Sequence, residues 1–391
     1  MRLLHTSDWH LGRSFHGVGM LGAQRNFVDQ LVAFVEANSV DVVLIAGDVY
    51  DRALPGLDVV KLLDDALVRI TQAGAGVVLT SGNHDSAIRL GFASRLLERG
   101  GVHLRTRVEE LDVPAMYPLG AGDASAGHMA IYGVPYLEPR LVAERLGVEN
   151  PNHFDVTQEA VERIRSDVER RRESGPVYPV VLAHTFASGG ITSESERDLS
   201  IGGLGAVPLD LFEGFTYTAL GHLHGRQQLA ENVRYSGSPL AYSFSEAKHH
   251  KGAWLVDIDA QGGIDVQEVT WDAPKALAVL RGTLDDLLTS AEHSWAENAY
   301  CQITLTDATR PAQAMETLRT RFPETLVLAF DPEGAEARAK TSYSSRLAEA
   351  TDDLGVCCGF LEHVRDRGAG DAEETALREA LEAVRLEEAE L

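Results

Sequence analysis

The sequence contains little cysteine and no hydrophobic run long enough to cross a membrane. Only three of its 391 residues are cysteine, and two of these, Cys357 and Cys358, are adjacent and poorly placed for a disulfide. This pattern excludes a disulfide scaffold and predicts a reducing, cytoplasmic environment. No segment approaches the about 20 consecutive apolar residues of a membrane helix. Residues 1–8 lack the apolar core of a signal peptide, so we expect no leader.

Positive charge is also scarce. The chain has 35 lysines and arginines against 59 acidic residues, which gives a net charge of −24. Salt screens exposed charges within about 8 Å at physiological ionic strength, so the local surface governs binding rather than the sum. Residues 80–108 carry five arginines against two acidic residues. Net charge therefore does not exclude nucleic acid as a partner.

Up to about residue 270, short apolar runs alternate with amphipathic segments. This pattern predicts an α/β layered domain with a more β-rich second half. Helices are predicted at residues 24–36, 58–71 and 156–172. Strands are predicted at residues 2–6, 41–46, 76–80, 130–134, 178–183, 215–220, 234–235, 253–258 and 264–269.

The pattern changes near residue 273, which predicts three domains: 1–273, 274–341 and 342–391. The second is a small α/β domain with the order strand, helix, strand, helix, strand. These elements are predicted at residues 276–281, 284–290, 300–305, 311–321 and 325–330. A linker is predicted at 331–341. The remaining residues are acidic and helical, and glycines at 355, 359, 368 and 370 are expected to interrupt the helices.

Five short polar clusters directly follow predicted strands. They are Asp8-Trp-His10, Gly47-Asp48-Val-Tyr-Asp51, Gly82-Asn83-His84-Asp85, His184 and Gly221-His222-Leu-His224. In open α/β sheets, functional groups gather beyond the carboxyl ends of the strands. Each cluster alone could be an ordinary turn or a structural group. Two carboxylates, one amide and four imidazoles drawn from these clusters would make a ligand set for divalent metal.

These clusters resemble the five signatures of the calcineurin-like metallophosphoesterases. Longer strings around them are similar to the SbcD family of bacterial nuclease subunits within that superfamily. The strings cover residues 1–12, 45–51, 182–186, 219–224 and 235–239. The resemblance implies a four-layer α/β fold, in which a β-sandwich is flanked by helices. It also implies that residues 274–341 form a DNA-capping domain and that residues 342–391 form C-terminal helices.

The resemblance also implies which residues bind metal and which act on the substrate. One ion would be bound by Asp8, His10, Asp48 and His224. The other would be bound by Asp48, Asn83, His184 and His222, so that Asp48 is shared. The family uses two Mn²⁺ ions, with Mg²⁺ as a weaker substitute. His84 would act as the general acid at the leaving oxygen, and the Asp51 carboxylate would hold its other ring nitrogen. The alternative for Asp51 is a helix N-cap.

By the same resemblance, the substrate is DNA. The implied activities are 3′–5′ double-strand exonuclease and single-strand or hairpin endonuclease, in recombination, replication and repair at the nucleoid. The candidate DNA contacts are Arg13, His16, Arg89 and Arg105, although loop and helix-surface residues of this kind are often only solvated. The alternative function is a metallophosphoesterase that acts on small phosphate mono- or diesters. A non-catalytic scaffold is disfavoured because no ligand is missing.

Two protein contacts follow from the resemblance. An SbcC-type ATPase would dock on the C-terminal helices, where residues Leu377, Leu381, Val384 and Leu386 form an apolar stripe. The alternative is that this stripe packs on its own domain. A homodimer within a heterotetramer would form through helices of the nuclease domain, and the apolar pattern of residues 58–71 is the candidate surface.

Overall fold

The computed structural model describes residues 1–120, 127–194, 205–332, 353–365 and 368–389. The chain divides into two compact units, residues 1–279 with 298–301 and residues 280–297 with 302–391. No helix in the described ranges has the length and apolar character needed to span a membrane.

The first unit is built from strands and helices that alternate along most of its length. Its strands are β1 (Arg2–Thr6), β2 (Ser14–Phe15), β3 (Val18–Gly19), β4 (Val42–Ala46), β5 (Gly76–Thr80), β6 (Val102–Arg105), β7 (Ala115–Pro118), β8 (His128–Val134), β9 (Val177–His184), β10 (Tyr217–Gly221), β11 (Gln227–Gln228), β12 (Val233–Tyr235), β13 (Gly252–Ile258) and β14 (Ile264–Thr270). Its α-helices are α1 (Leu21–Asn38), α2 (Leu57–Gln72), α3 (Ala87–Leu90), α4 (Ser94–Leu97), α5 (Pro139–Leu146) and α6 (His153–Arg172). Short 3₁₀ turns occur at Glu98–Gly100, Val108–Glu110, Leu209–Phe212 and Phe244–Glu246.

Most of these strands form two six-stranded sheets. The first sheet has the order β14-β13-β1-β4-β5-β6, and its strands β1, β4, β5 and β6 are parallel. The second has the order β11-β12-β10-β9-β8-β7, with β12, β10, β9 and β8 parallel. Strands β2 and β3 form a separate hairpin.

Successive residues of each strand point to opposite faces of its sheet. Their apolar side chains contribute to three hydrophobic cores. Leu3, Val42 and Leu44 point into a core shared with the second sheet. Their neighbours, such as Leu4 and Val43, point to the other face and pack against α1 and α2. Helices α5 and α6 cover the outer face of the second sheet in the same way. Both faces of each sheet are therefore covered, which explains the continuous apolar runs and confirms the predicted four-layer fold.

The apolar face of α2 packs inward. Leu62, Leu63, Ala66 and Ile70 are buried in the core between this helix and the first sheet. The predicted use of this stripe as a dimer surface is therefore wrong. The helix has other apolar side chains in solvent, because Leu57 and Val60 are 81% and 43% exposed.

From residue 277 onward, the structure has the predicted order of strands and helices. The elements are β15 (Leu277–Gly282), α7 (Leu284–Thr289), the 3₁₀ turn Ala291–Ala296, β16 (Tyr300–Leu305), α8 (Ala314–Arg319), β17 (Thr325–Phe330), α9 (Asp353–Arg365) and α10 (Asp371–Ala389). The three strands form one sheet in the order β15-β16-β17. Helix α9 continues through Gly355 and Gly359, so the expected breaks there are wrong. Most of the predicted linker lies outside the described residues.

Candidate metal centre

The predicted ligands follow neighbouring parallel strands in both sheets. In the first sheet, β1 pairs with β4 and β4 with β5, and a polar cluster follows each strand. In the second sheet, β9 ends at His184, and its parallel neighbour β10 leads to the last cluster. The amide N–H of His222 donates to both carboxylate oxygens of Asp8, at 3.1 Å. The carboxyl ends of the two sheets therefore meet at one edge of the sandwich.

Two glycines allow this close approach. His184 Nδ1 donates a hydrogen bond to the carbonyl oxygen of Ala46 across the sheets, at 2.9 Å. A Cβ on Gly47, whose φ is +84°, would lie 2.3 Å from His184 Nδ1. A Cβ on Gly221 would lie 1.8 Å from the Ala46 carbonyl oxygen. Any larger residue at either position would push the two strand ends apart.

Several candidate ligands have a strained backbone. Eight non-glycine residues have a positive φ in the described chain, and four of them are predicted ligands. These four are Asp8 (φ 53°), His10 (φ 44°), Asp48 (φ 46°) and His222 (φ 111°). Such conformations cost about 1–3 kcal/mol each and cluster at functional sites. The strain therefore marks this edge of the sandwich as functional.

One group of donor atoms comes from Asp8, His10 and His224. All three residues are buried, and their ligand atoms lie within 4.8 Å of one another. The Nε2 atoms of His10 and His224 are 3.0 Å apart. Asp8 is held in place by the hydroxyl of Ser7, which donates to its Oδ2 at 2.5 Å.

A second group of donor atoms lies around Asp48. Its Oδ2 is 3.5 Å from His184 Nε2 and 3.7 Å from His10 Nε2. The amide oxygen of Asn83 is 3.0 Å from His184 Nε2 and 3.3 Å from His222 Nδ1. Asp48 thus lies between the first group and the second. The structure brings together all seven side chains that the sequence predicted as ligands.

The buried imidazoles of His10, His184 and His222 are held in the neutral form. Burial lowers the pKa of His10 and His222 well below the usual value, and neighbouring imidazoles lower both further. Burial also lowers the pKa of His184, although the Asp48 carboxylate opposes the shift. Neutral imidazoles offer lone pairs, but they do not compensate the charge of the buried Asp8 and Asp48 carboxylates. Divalent cations supply that charge, so the donor set fits a divalent metal site.

The structure corrects the expected role of Asp51. His84 Nδ1 donates to the backbone carbonyl oxygen of Asp51 at 2.8 Å, whereas the carboxylate of Asp51 is 3.9 Å away. That carboxylate is closer to His10 Nδ1, at 3.6 Å. The N-cap alternative is also wrong, because Gly56 occupies the N-cap position of α2. Asp51 therefore orients His84 through its main chain, and its carboxylate faces the metal-ligand candidate His10.

The four candidate DNA contacts have different environments. Arg105 is 4% exposed and donates to Glu98 at 2.7 Å, so its side chain is not available to DNA. Arg89 is exposed and donates to the carbonyl oxygen of Ala53. His16 is exposed at the turn of the β2–β3 hairpin. Arg13 packs over the ring of Tyr242 and lies 3.8 Å from Asp51. The use of Arg13, His16 and Arg89 by DNA stays a prediction.

Asp85 supports the site in a way that the sequence reasoning missed. Its carboxylate accepts hydrogen bonds from the amides of Val49, Tyr50 and Gly82 at 2.8–3.0 Å. It therefore joins the loop after β4 to the loop after β5. Burial and the charge of Asp48 raise the pKa of Asp85 to about 7, although the three amide donors oppose the shift. The sequence signal that could have indicated this role is the position of Asp85 as the last residue of the Gly82-Asn83-His84-Asp85 cluster.

A buried ion pair behind His224 was also missed. Glu246 Oε1 is 3.3 Å from His224 Nδ1, and its other oxygen pairs with the ammonium of Lys251. Lys251 also donates to the carbonyl oxygen of His224 at 2.9 Å. Burial alone would raise the pKa of Glu246, but Lys251 and His224 outweigh it and hold the pKa below its usual range. The ionised carboxylate fixes the proton on His224 Nδ1, so that Nε2 carries the lone pair that a metal ion would need.

We expect Glu246→Gln to weaken metal binding about 10- to 100-fold, which is the usual effect of losing such a partner of a ligand histidine. Titration calorimetry with Mn²⁺ measures this effect without catalysis. Glu268→Gln is the matched control, because Glu268 is an exposed partner of Arg226. Unchanged Mn²⁺ affinity in Glu246→Gln would contradict the assigned role.

A buried set of nitrogen and oxygen donors at the carboxyl ends of strands defines a metal-binding protein of the α/β class. Residues 1–226 match the family model described as calcineurin-like phosphoesterase. Because this match covers more than half of the chain, the chain belongs to the calcineurin-like phosphoesterase family. Residues 273–365 match the model described as type 5 capsule protein repressor C-terminal domain.

Comparison with individual proteins gives a more specific similarity. The chain is 29% identical over 330 residues to the SbcD subunit of the nuclease SbcCD from Staphylococcus saprophyticus, and the match covers 84% of each chain. Among solved structures, it is similar to TT1561 of Thermus thermophilus, with 12% identity, coverage of 68% of this chain and 98% of that chain, and a TM-score of 0.37. It is also similar to GAP50 of Plasmodium, with 10% identity, coverage of 85% and 98%, and a TM-score of 0.39.

Proposed function

We propose that this chain is the nuclease subunit of an SbcCD-type complex and hydrolyses phosphodiester bonds in DNA with two Mn²⁺ ions, which Mg²⁺ can replace less effectively. The observation that carries the proposal is the convergence of the seven donor side chains around Asp48. The similarity to a protein named as a nuclease subunit supports DNA as the substrate. The proposed activities are a double-strand exonuclease activity in the 3′–5′ direction and a single-strand or hairpin endonuclease activity.

We assign the donors to two positions that share Asp48. Asp8, His10, Asp48 and His224 form one position, and Asp48, Asn83, His184 and His222 form the other. A shared carboxylate suits two cations at close range because it offsets their mutual repulsion. When bound, such cations supply Lewis-acid stabilisation of the phosphoryl oxygens and lower the pKa of the attacking water.

His84 supplies the proton that the leaving oxygen of the sugar needs when the P–O bond breaks. Its Nδ1 is occupied by the Asp51 carbonyl oxygen, so Nε2 is the atom that can deliver the proton. The carboxylates of Asp48 and Asp51 each lie 3.9 Å from a ring nitrogen and balance the charge of the protonated ring. Because the backbone amide of His84 donates to Asp48 Oδ1 at 2.8 Å, the acid is fixed beside the shared ligand.

We further propose that residues 1–273 form the nuclease domain, that 274–341 position DNA over it, and that 342–391 bind the SbcC-type ATPase. Leu377 and Leu381, half-buried on α10, belong to the predicted docking stripe. A homodimer would use exposed apolar side chains such as Leu54 and Leu57 instead of the inward face of α2. Such a complex would act in recombination, replication and repair at the nucleoid.

Assays with a hairpin DNA and with a small chromogenic diester distinguish the proposed nuclease from a phosphoesterase that acts on small phosphate esters. We expect the full-length chain with Mn²⁺ to hydrolyse both, and we expect a purified SbcC-type partner with ATP to stimulate hairpin cleavage only. Gel analysis of the labelled hairpin gives the products. Hydrolysis of the diester without cleavage of any DNA, with or without the partner, would favour the small-ester phosphoesterase instead.

A further inference from the structure

A cavity of 1010 Å³ adjoins the candidate metal centre within the first unit. Its lining includes Asn83, Ser86, Arg95, Tyr136 and Leu141. This volume is at the upper end of the range of about 300–1,000 Å³ for small-molecule sites. It is on the scale of individual nucleotides and too small for a base-paired duplex.

Six charged side chains line this cavity: Asp85, Arg95, Arg107, Glu109, Glu138 and Arg145. The Glu138 carboxylate accepts a hydrogen bond from the Tyr136 hydroxyl at 3.4 Å. Arg145 and Arg107 both pair with Glu109. The carboxylate of Asp85 is occupied by backbone amides. Arg95 is exposed, and no acidic group lies within ion-pair distance of it in the described part of the chain. A ligand with a negative charge near Arg95 would therefore meet an uncompensated guanidinium.

Tyr136 gives the cavity an aromatic wall beside the metal ligands. Its ring centroid is 6.3 Å from that of His184, and its amide donates to the carbonyl oxygen of Ser81 at the end of β5, at 2.8 Å. The ring is only half-buried. Ile88 and Leu141, on the cavity wall, are 89% and 73% exposed. Tyr136, Ile88 and Leu141 therefore give the cavity exposed apolar surface that a ligand could cover.

We propose that this cavity binds an unpaired nucleotide of the substrate strand, next to the phosphate at the metal centre. Its base stacks on Tyr136, and its backbone phosphate lies near Arg95. Stacking on an aromatic side chain recognises every base, because each base has a π-face. This proposal rests on the proposed nuclease function and deepens it, because it makes an unpaired strand the preferred substrate. A paired base cannot reach the cavity without leaving its duplex.

The test compares binding of a fluorescent single strand and of the blunt duplex of the same sequence. The full-length chain carries His84→Gln in all samples, with Mn²⁺ present, so that DNA is not consumed. Base–aromatic stacking contributes about 1–3 kcal/mol, so we expect Tyr136→Ala to weaken single-strand binding about 10-fold or more, with a much smaller effect on duplex. Tyr136→Phe should retain single-strand binding. Arg95→Ala, on an exposed position, should weaken it about 3- to 10-fold.

Tyr178→Ala and Arg99→Ala are matched controls outside the cavity lining, and they should bind both DNAs as the parent does. Equal weakening on single strand and duplex, or no weakening by Tyr136→Ala and Arg95→Ala, would overturn the subsite. The variant Leu141→Asp gives a further test. If it dissociated a dimer and left single-strand binding intact, the cavity rim would be an interface between copies, and the subsite would be overturned. If the parent bound neither DNA, the nuclease function itself would fail.

Discussion

Replacing Asp48 with asparagine is expected to empty both metal positions and to reduce cleavage by at least about a thousandfold. Lewis-acid stabilisation by bound cations contributes several kcal/mol, and each 1.36 kcal/mol is a factor of ten in rate. Asp48 Oδ2 lies within 4 Å of ring nitrogens of His10, His84 and His184. Removing its charge therefore affects both donor groups at once.

Asparagine is the informative substitution because it keeps the local structure. Asp48 has φ 46°, which asparagine tolerates better than alanine. Its amide oxygen can still accept the hydrogen bond from the His84 amide. Mn²⁺ titration calorimetry gives the stoichiometry, and thermal unfolding checks the fold. Asp64→Asn, on the exposed side of α2, is the control. Two ions bound with near-normal affinity in Asp48→Asn would contradict the shared ligand.

The sandwich and its ligand clusters could be predicted from the sequence because their signals are local. The run Val42–Ala46 is apolar throughout since both of its faces are covered. Each ligand cluster directly follows such a run, so its position at a strand end needs only the strand to be recognised. The pairing of β1, β4 and β5 then brings the clusters together.

The features that could not be predicted from the sequence depend on contacts between residues that are distant in the chain. Arg105 has the same local appearance as an exposed arginine, but its side chain is buried beside Glu98. Glu246 lies in a 3₁₀ turn with no motif of its own, and its role depends on Lys251 and His224. The carbonyl of Asp51 that holds His84 is a main-chain group, which no residue type reveals.

Replacing His84 with glutamine is expected to reduce DNA cleavage about 10²- to 10⁴-fold, the usual contribution of a general acid, while both ions stay bound. The side chain of His84 is not among the seven proposed ligands, and glutamine can still donate to the Asp51 carbonyl oxygen. Calorimetry should therefore give the parent's Mn²⁺ stoichiometry.

A small diester with a good leaving group separates this role from a structural one. Nitrophenolate leaves without needing a proton, so a variant that lacks only the acid should hydrolyse a nitrophenyl diester far better, relative to the parent, than it cleaves DNA. His128→Gln is the control because His128 is exposed at the start of β8, at the opposite end of the parallel strands from His184. Equal losses on both substrates would mean that His84 does not protonate the leaving oxygen. Loss of bound Mn²⁺ would place His84 among the metal ligands, since the imidazole would then be needed to hold an ion and not to deliver a proton.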